Sequence, residues 1–201
     1  ITKQEVQAVE KQMPNVYIPE LARDVLEQIS FEARKSDYVD AKSGVSARMS
    51  ITAFENLLST AERRMLMNGD EKTSLRMADF LGVISAINGK IELVYEGEQE
   101  GAEQISYYLI TQAVKTLFSN YFPEVKKLEK ADEIGPYDTL LGWFFKDNEL
   151  FLEDTLNDKN YCALLDNLPG VEPLLKKHQS ESRPEDRYFL IEFLLWGLEA
   201  H

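Results

Sequence analysis

The chain has little of what most enzymatic chemistry uses. Its 201 residues contain one cysteine, Cys162, and two histidines, His178 and His201. One cysteine cannot close an internal disulfide, so a reducing compartment is expected. Three such residues, well separated, make no zinc site, and no metal ligands are expected. Basic residues are also scarce, 22 against 35 acidic, for a formal net charge of −13. Such a surface repels phosphate backbones, which argues against a nucleic-acid partner and predicts a cytoplasmic protein. No apolar run approaches the ~20 residues of a membrane span, so no membrane association is expected. The most apolar stretch, Phe189–Leu198, is interrupted by Glu192. No secretory leader is recognised, and a chain opening on Ile1 is expected to be a piece of a longer protein.

Phosphate-cradling and nucleophile motifs are missing too. There is no G-x-x-x-x-G-K-[ST], no G-x-G-x-x-G, no G-x-S-x-G and no E-x-x-H pair. A helical chain without these is not expected to be a complete enzyme. The acidic run Glu96-Gly97-Glu98-Gln99-Glu100 lacks the alternation of a calcium loop. It suits the positive end of a following helix instead.

What is present is helical periodicity, and the fold class it predicts is all-α. Thr2 and Glu5 form a capping-box pattern for a first helix ending at Pro14. Pro19 opens a second helix to about Lys35, with Leu21, Val25 and Ile29 as its buried stripe. Ser36–Val45 is polar and reads as a loop. Ile51, Phe54, Leu58, Ala61 and Met65 mark a long helix from about Ser46 to Met67, stopped by Asn68-Gly69. A fourth helix over Leu75–Ile87 should turn Met77, Phe80, Leu81, Ile84 and Ile87 inward. Residues 91–95 alternate but have no visible pairing partner, so extended coil is expected, with any strand confined there.

Gly97–Gly101 reads as the boundary between two parts, 1–96 and 97–201. The second part predicts helices over about 102–120, after Pro136, over 159–167 and 170–178, and finally over 184–200. Leu128 and Ile134 anchor the sparse stretch between Pro123 and Gly135. The final helix is apolar nearly all round and should lie among other helices. Trp143-Phe144-Phe145 reads as core, with a ligand pocket as the rarer option.

One segment stands apart. Arg34, Lys35, Lys42 and Arg48 place four basic residues within fifteen positions of an acidic chain. Ser46 is the predicted N-cap of the long helix, which puts Arg48 in its first turn. A helix start already carries free N–H groups and partial positive charge, so an arginine there adds no local stability. It makes sense facing an anion, and the guanidinium fork suits phosphate. An ordinary surface arginine is the competing reading.

These residues also carry a resemblance. Pro19-Glu20-Leu21 through Arg34, Ser43-Gly44-Val45-Ser46-Ala47-Arg48, Glu55-Asn56 and Ala61-Glu62-Arg63-Arg64 resemble the lid of magnesium-chelatase-like AAA+ ATPases. Gly89 through Glu98 continues the match, and MoxR-type ATPases have a similar Gly-x-Ser-x-Arg motif. The resemblance covers roughly residues 1–120. Residues 120–201 are placed only as the helical tail of that group.

The resemblance implies that residues 1–96 form an AAA+ lid and 97–201 an accessory helical domain. It implies that Arg48 is the sensor-2 arginine, reaching nucleotide phosphates at a subunit boundary of a homo-oligomeric ring. The nucleotide-binding core, with its P-loop and Walker-B acids, would lie before Ile1 and be this chain's first partner. ATP and Mg²⁺ are then expected of the parent ATPase, and no cofactor of this segment alone. A protein client remodelled by the motor is the further partner implied. The alternative from another class is a helical adaptor or scaffold with no nucleotide role.

Overall fold

The computed structural model describes residues 14–40, 45–46, 48–125 and 135–201. The helix expected over Thr2–Met13, Lys42, and the anchors Leu128 and Ile134 lie outside the described residues. Within them the chain is predominantly helical, in keeping with the all-α expectation.

Strand β1 (Val16–Tyr17) leads into helix α1 (Glu20–Lys35), which follows Pro19. Its buried residues Leu21, Val25, Ile29 and Ala33 recur at helical spacing and line one face. Helix α2 (Arg48–Asn68) is the long helix expected from the seam. It ends where Gly69 takes φ +71°, a left-handed conformation that glycine adopts without steric penalty. The amide of Asp70 then donates to the Met65 carbonyl at 3.0 Å, which satisfies one of the open carbonyls at the helix end.

The fourth expected helix is different. After strand β2 (Thr73–Ser74), Met77–Val83 forms a 3₁₀ helix, and only Ile84–Asn88 (α3) is α-helical. Three residues per turn put Met77, Phe80 and Val83 on one buried side. Leu81, expected inward on a period of 3.6, is 47% exposed instead. At its start the Asp79 carboxylate accepts from the Arg76 amide at 2.8 Å and closes the first turn.

The confinement of strand to 91–95 is also corrected. β1 and β2 pair in parallel, Val16 with Thr73 and Tyr17 with Ser74. Two-residue strands leave no alternation to read. Residues 91–94 do find partners: antiparallel bridges join Val39 to Leu93 and Val45 to Ile91. The Val94 amide donates to the Tyr38 carbonyl at 3.0 Å, and the Asp40 amide to the Glu92 carbonyl at 2.8 Å. The segment before α2 is thus pinned at both ends.

Tyr95–Glu100 forms a short helix, α4, across the stretch read as a boundary. Helix α5 (Ala102–Tyr121) follows, packed against α1 on one side and against the last helix, α9 (Arg187–Ala200), on another. A single buried apolar cluster runs from Val16 to Leu194 and includes residues on both sides of Gly101. Helices α6 (Asp138–Phe144), α7 (Asp158–Asp166) and α8 (Val171–His178) complete the C-terminal part. Trp143 and Phe144 are partly buried, but Phe145 is 78% exposed, so the aromatic triplet is not wholly core. It falls where α6 ends in a polar turn through Lys146 and Asp147. No helix among the described residues is long and apolar enough to cross a membrane.

α9 lies among other helices, as its composition requires. Phe118 of α5 stacks on Phe193 at 6.2 Å and presses on the backbone at Gly197, where an added Cβ would overlap the ring. Phe118 also contacts Phe122 and Tyr137, so the ring has no free space to retreat into. Gly197→Ala therefore gains ~1 kcal/mol of helix propensity but forces overpacking of ~1–3 kcal/mol. The expected net loss, about 1 kcal/mol, lowers the midpoint of thermal unfolding by about 2–4 °C in a chain of this size. An unchanged midpoint means the Phe118 ring shifts freely.

Candidate functional site

Arg48 sits where the sequence places it, in the first turn of α2. Its amide donates to Ser46 Oγ at 3.3 Å, and the Met49 amide donates to the Ser46 carbonyl at 2.9 Å. Ser46 therefore caps the helix. Its own amide reaches the Lys90 carbonyl at 3.5 Å, and neighbouring Val45 bridges to Ile91. The cap is thereby tied to the Gly89–Ile91 stretch.

The Arg48 side chain is exposed. Among the described residues its guanidinium has no hydrogen-bond, ion-pair or ring partner. The first turn of α2 contains no acidic residue. The positive end of a 21-residue helix and a guanidinium without a partner among the described residues thus lie together. This arrangement can bind an oxyanion through Arg48 Nη donors.

Arg34 and Lys35 do not join it. Arg34 turns back on its own helix, donating to the Ser30 carbonyl at 3.3 Å and lying over the Phe31 ring. Lys35 lines a cleft of about 640 Å³ between the end of α1, the start of α4 and α5. Glu32, Asp37 and Glu96 share that cleft with Tyr38 and Tyr108. Its carboxylates outnumber its one cation, so it is no phosphate site.

The far end of α2 shows what sequence reading missed. Arg64, named above only within the resemblance, is 4% exposed. It forms a bidentate pair with Asp79, Nε to Oδ1 at 3.0 Å and Nη2 to Oδ2 at 2.8 Å. It also donates to Thr73 Oγ1 and to the Ser74 carbonyl, each at 2.9 Å. Arg76 donates to Asp158 at 2.8 Å and lies 3.8 Å over the Tyr161 ring. Arg64 Nη1 is 3.5 Å from the same Asp158 carboxylate. Two arginines and two aspartates thus lock the end of α2 and the 73–79 segment to α7. Asn68 adds bonds to the carbonyls of Asp154 and Leu156 at 2.8 and 3.0 Å.

Glu192 of α9 completes this interior. Its carboxylate accepts from the Met77 amide at 2.6 Å and is 2% exposed. Burial pushes its carboxyl up to about 7, the Met77 amide and Tyr161 pull it down, and the Asp79 charge pushes it further up. Two signals in the sequence pointed here. Arg64 stands three residues after Ala61, on the seam of α2, and Glu192 interrupts an otherwise apolar helix.

No protein-family model matches the chain, and searches of curated proteins and of solved structures return no match.

Proposed function

We propose that this chain is the lid and helical tail of a magnesium-chelatase-like AAA+ ATPase, and that Arg48 is its sensor-2 arginine. One observation carries the reading: an exposed guanidinium, without a partner among the described residues, at the capped start of a long helix with no acid in its first turn. The position matches the arginine of the Gly-x-Ser-x-Arg motif. Arg48 would donate to phosphate oxygens of ATP held by a core preceding Ile1 and would offset charge on the transferring phosphoryl group. ATP supplies the phosphoryl group and the free energy. The residues described here fix the arginine, brace its helix and carry the C-terminal helices with it.

In this role α2 links nucleotide state to the position of the helical tail, and a ring of such chains would act on a client protein. The second reading, a helical interaction module, draws on exposed apolar side chains: Leu66 and Met67 at 68% each, Phe145 at 78% and Phe151 at 66%. The gene sequence upstream of the Ile1 codon separates the two. A G-x-x-x-x-G-K-[ST] motif is expected roughly 150–250 residues before Ile1, opening a helix after a strand. An upstream frame with no such motif removes the motor reading and leaves the interaction module.

A further inference from the structure

The buried network balances without Glu192. Arg64 and Arg76 supply two positive charges, and Asp79 and Asp158 supply two negative ones, all joined by the bonds given above. Glu192 is a third carboxylate beside them, with no cation of its own. The Tyr161 hydroxyl buried beside it and Arg76, already paired with Asp158, favour its charged form, and Arg76 Nε is buried without a hydrogen-bond partner among the described residues. An ionised carboxylate so placed carries a desolvation cost that the Met77 amide, Tyr161 and the shared Arg76 together do not cover.

We propose that Glu192 is a proton-operated latch: protonated, it holds α9 against the 76–83 segment, and ionised, it favours opening of that contact. The proposal is independent of any nucleotide role. The groups facing Glu192 are Arg76 and Asp79 from the 3₁₀ segment and Tyr161 from α7, with Arg64 and Asp158 behind them. Elsewhere on α9 the titratable neighbours meet other residues. Tyr107 of α5 lies against Trp196 and Tyr121 against Phe193, while Lys115 acts on His201. From the preceding short turn, Asp186 accepts from Tyr17.

The sign follows from the raised carboxyl. Closure is strongest below the ordinary carboxylate range and is lost as pH rises toward and through about 7. A carboxyl moving between a closed value near 7 and an open value near 4.5 raises the opening constant about tenfold from pH 6 to pH 8.

Hydrogen exchange on the 201-residue chain tests the latch. After correction for intrinsic exchange, protection of the 187–200 amides should fall about tenfold between pH 6 and pH 8. In Glu192→Gln that fall should vanish, because the amide oxygen still accepts from Met77 but carries no charge. An equal fall in parent and variant, or none in the parent, overturns the proposal. Should the variant not fold, ¹³C NMR titration of the glutamate carboxyls in the parent decides. One midpoint near neutrality supports the latch, and all midpoints in the ordinary carboxylate range overturn it.

Discussion

On the proposed lid reading, Arg48→Ala in the full-length protein is expected to cut steady-state ATP hydrolysis by one to several powers of ten while leaving the fold intact. The size follows from the task. An arginine that offsets charge on a transferring phosphoryl group contributes roughly 10³–10⁵ in rate, and removing it forfeits part or all of that. The fold should not notice, because Arg48 is exposed and no bond of its side chain is lost among the described residues. Exposed substitutions of this kind change stability within about ±0.5 kcal/mol. Arg48→Lys should recover only part of the rate, since a point charge does not reproduce a planar fork. Arg63→Ala is the appropriate control, because Arg63 is exposed on the same helix. Hydrolysis and thermal unfolding measured on all three variants decide the matter. Parent-level hydrolysis by Arg48→Ala removes the sensor assignment.

The second large effect is on stability. Arg64→Met should destabilise the chain by about 3–5 kcal/mol, the usual consequence of removing one partner from a buried ion pair. Asp79 is left at 1% exposure with its Arg76 amide contact but without its bidentate cation. Thr73 and the Ser74 carbonyl lose a donor in the same step. Against a total of roughly 5–15 kcal/mol for a typical domain, such a loss is a large share. Denaturant unfolding of Arg64→Met beside Arg63→Ala gives the number. Adding Asp79→Asn to Arg64→Met should restore part of it, because the stranded charge is then gone. A loss under about 1 kcal/mol for Arg64→Met means that water reaches Asp79.

The helices were legible where a local signal was strong. Pro19 and Pro184 mark helix starts, Asn68-Gly69 marks an end, and Ser46 caps α2 as its position suggested. The seam of α2 emerged apart from Ile51, which is only half-buried. Three-residue periodicity over Met77–Val83 was not legible, because apolar residues at 77, 80, 84 and 87 fit a period of 3.6 as well. The β1–β2 pair joins residues more than fifty positions apart and is too short to leave a pattern.

Of the site, Arg48 and its cap could be read from the chain, because both are consecutive residues at one helix start. The Arg64 network could not. Its partners Asp79 and Asp158 lie 15 and 94 positions away, counted along the sequence. Charge alone assigns an arginine to the surface, and only tertiary placement reverses that.

The clamped end of α2 limits how the helix can move. Arg64 lies sixteen residues after Arg48, which along an α-helix is about 24 Å. Spinning α2 about its axis by one residue's worth, about 100°, would carry Arg64 away from Asp79 entirely. Sliding it by one residue, about 1.5 Å, would break both prongs of the bidentate pair. The shaft is therefore locked against torsion and against piston motion. A tilt has to carry the 73–79 segment and α7 along, and with them α1 and α3, which Ser50 and Asn56 of α2 bond through Ser30 and Ser85. On the proposed lid reading, a pull at Arg48 would be delivered as rotation of that whole body, with α2 as the lever arm.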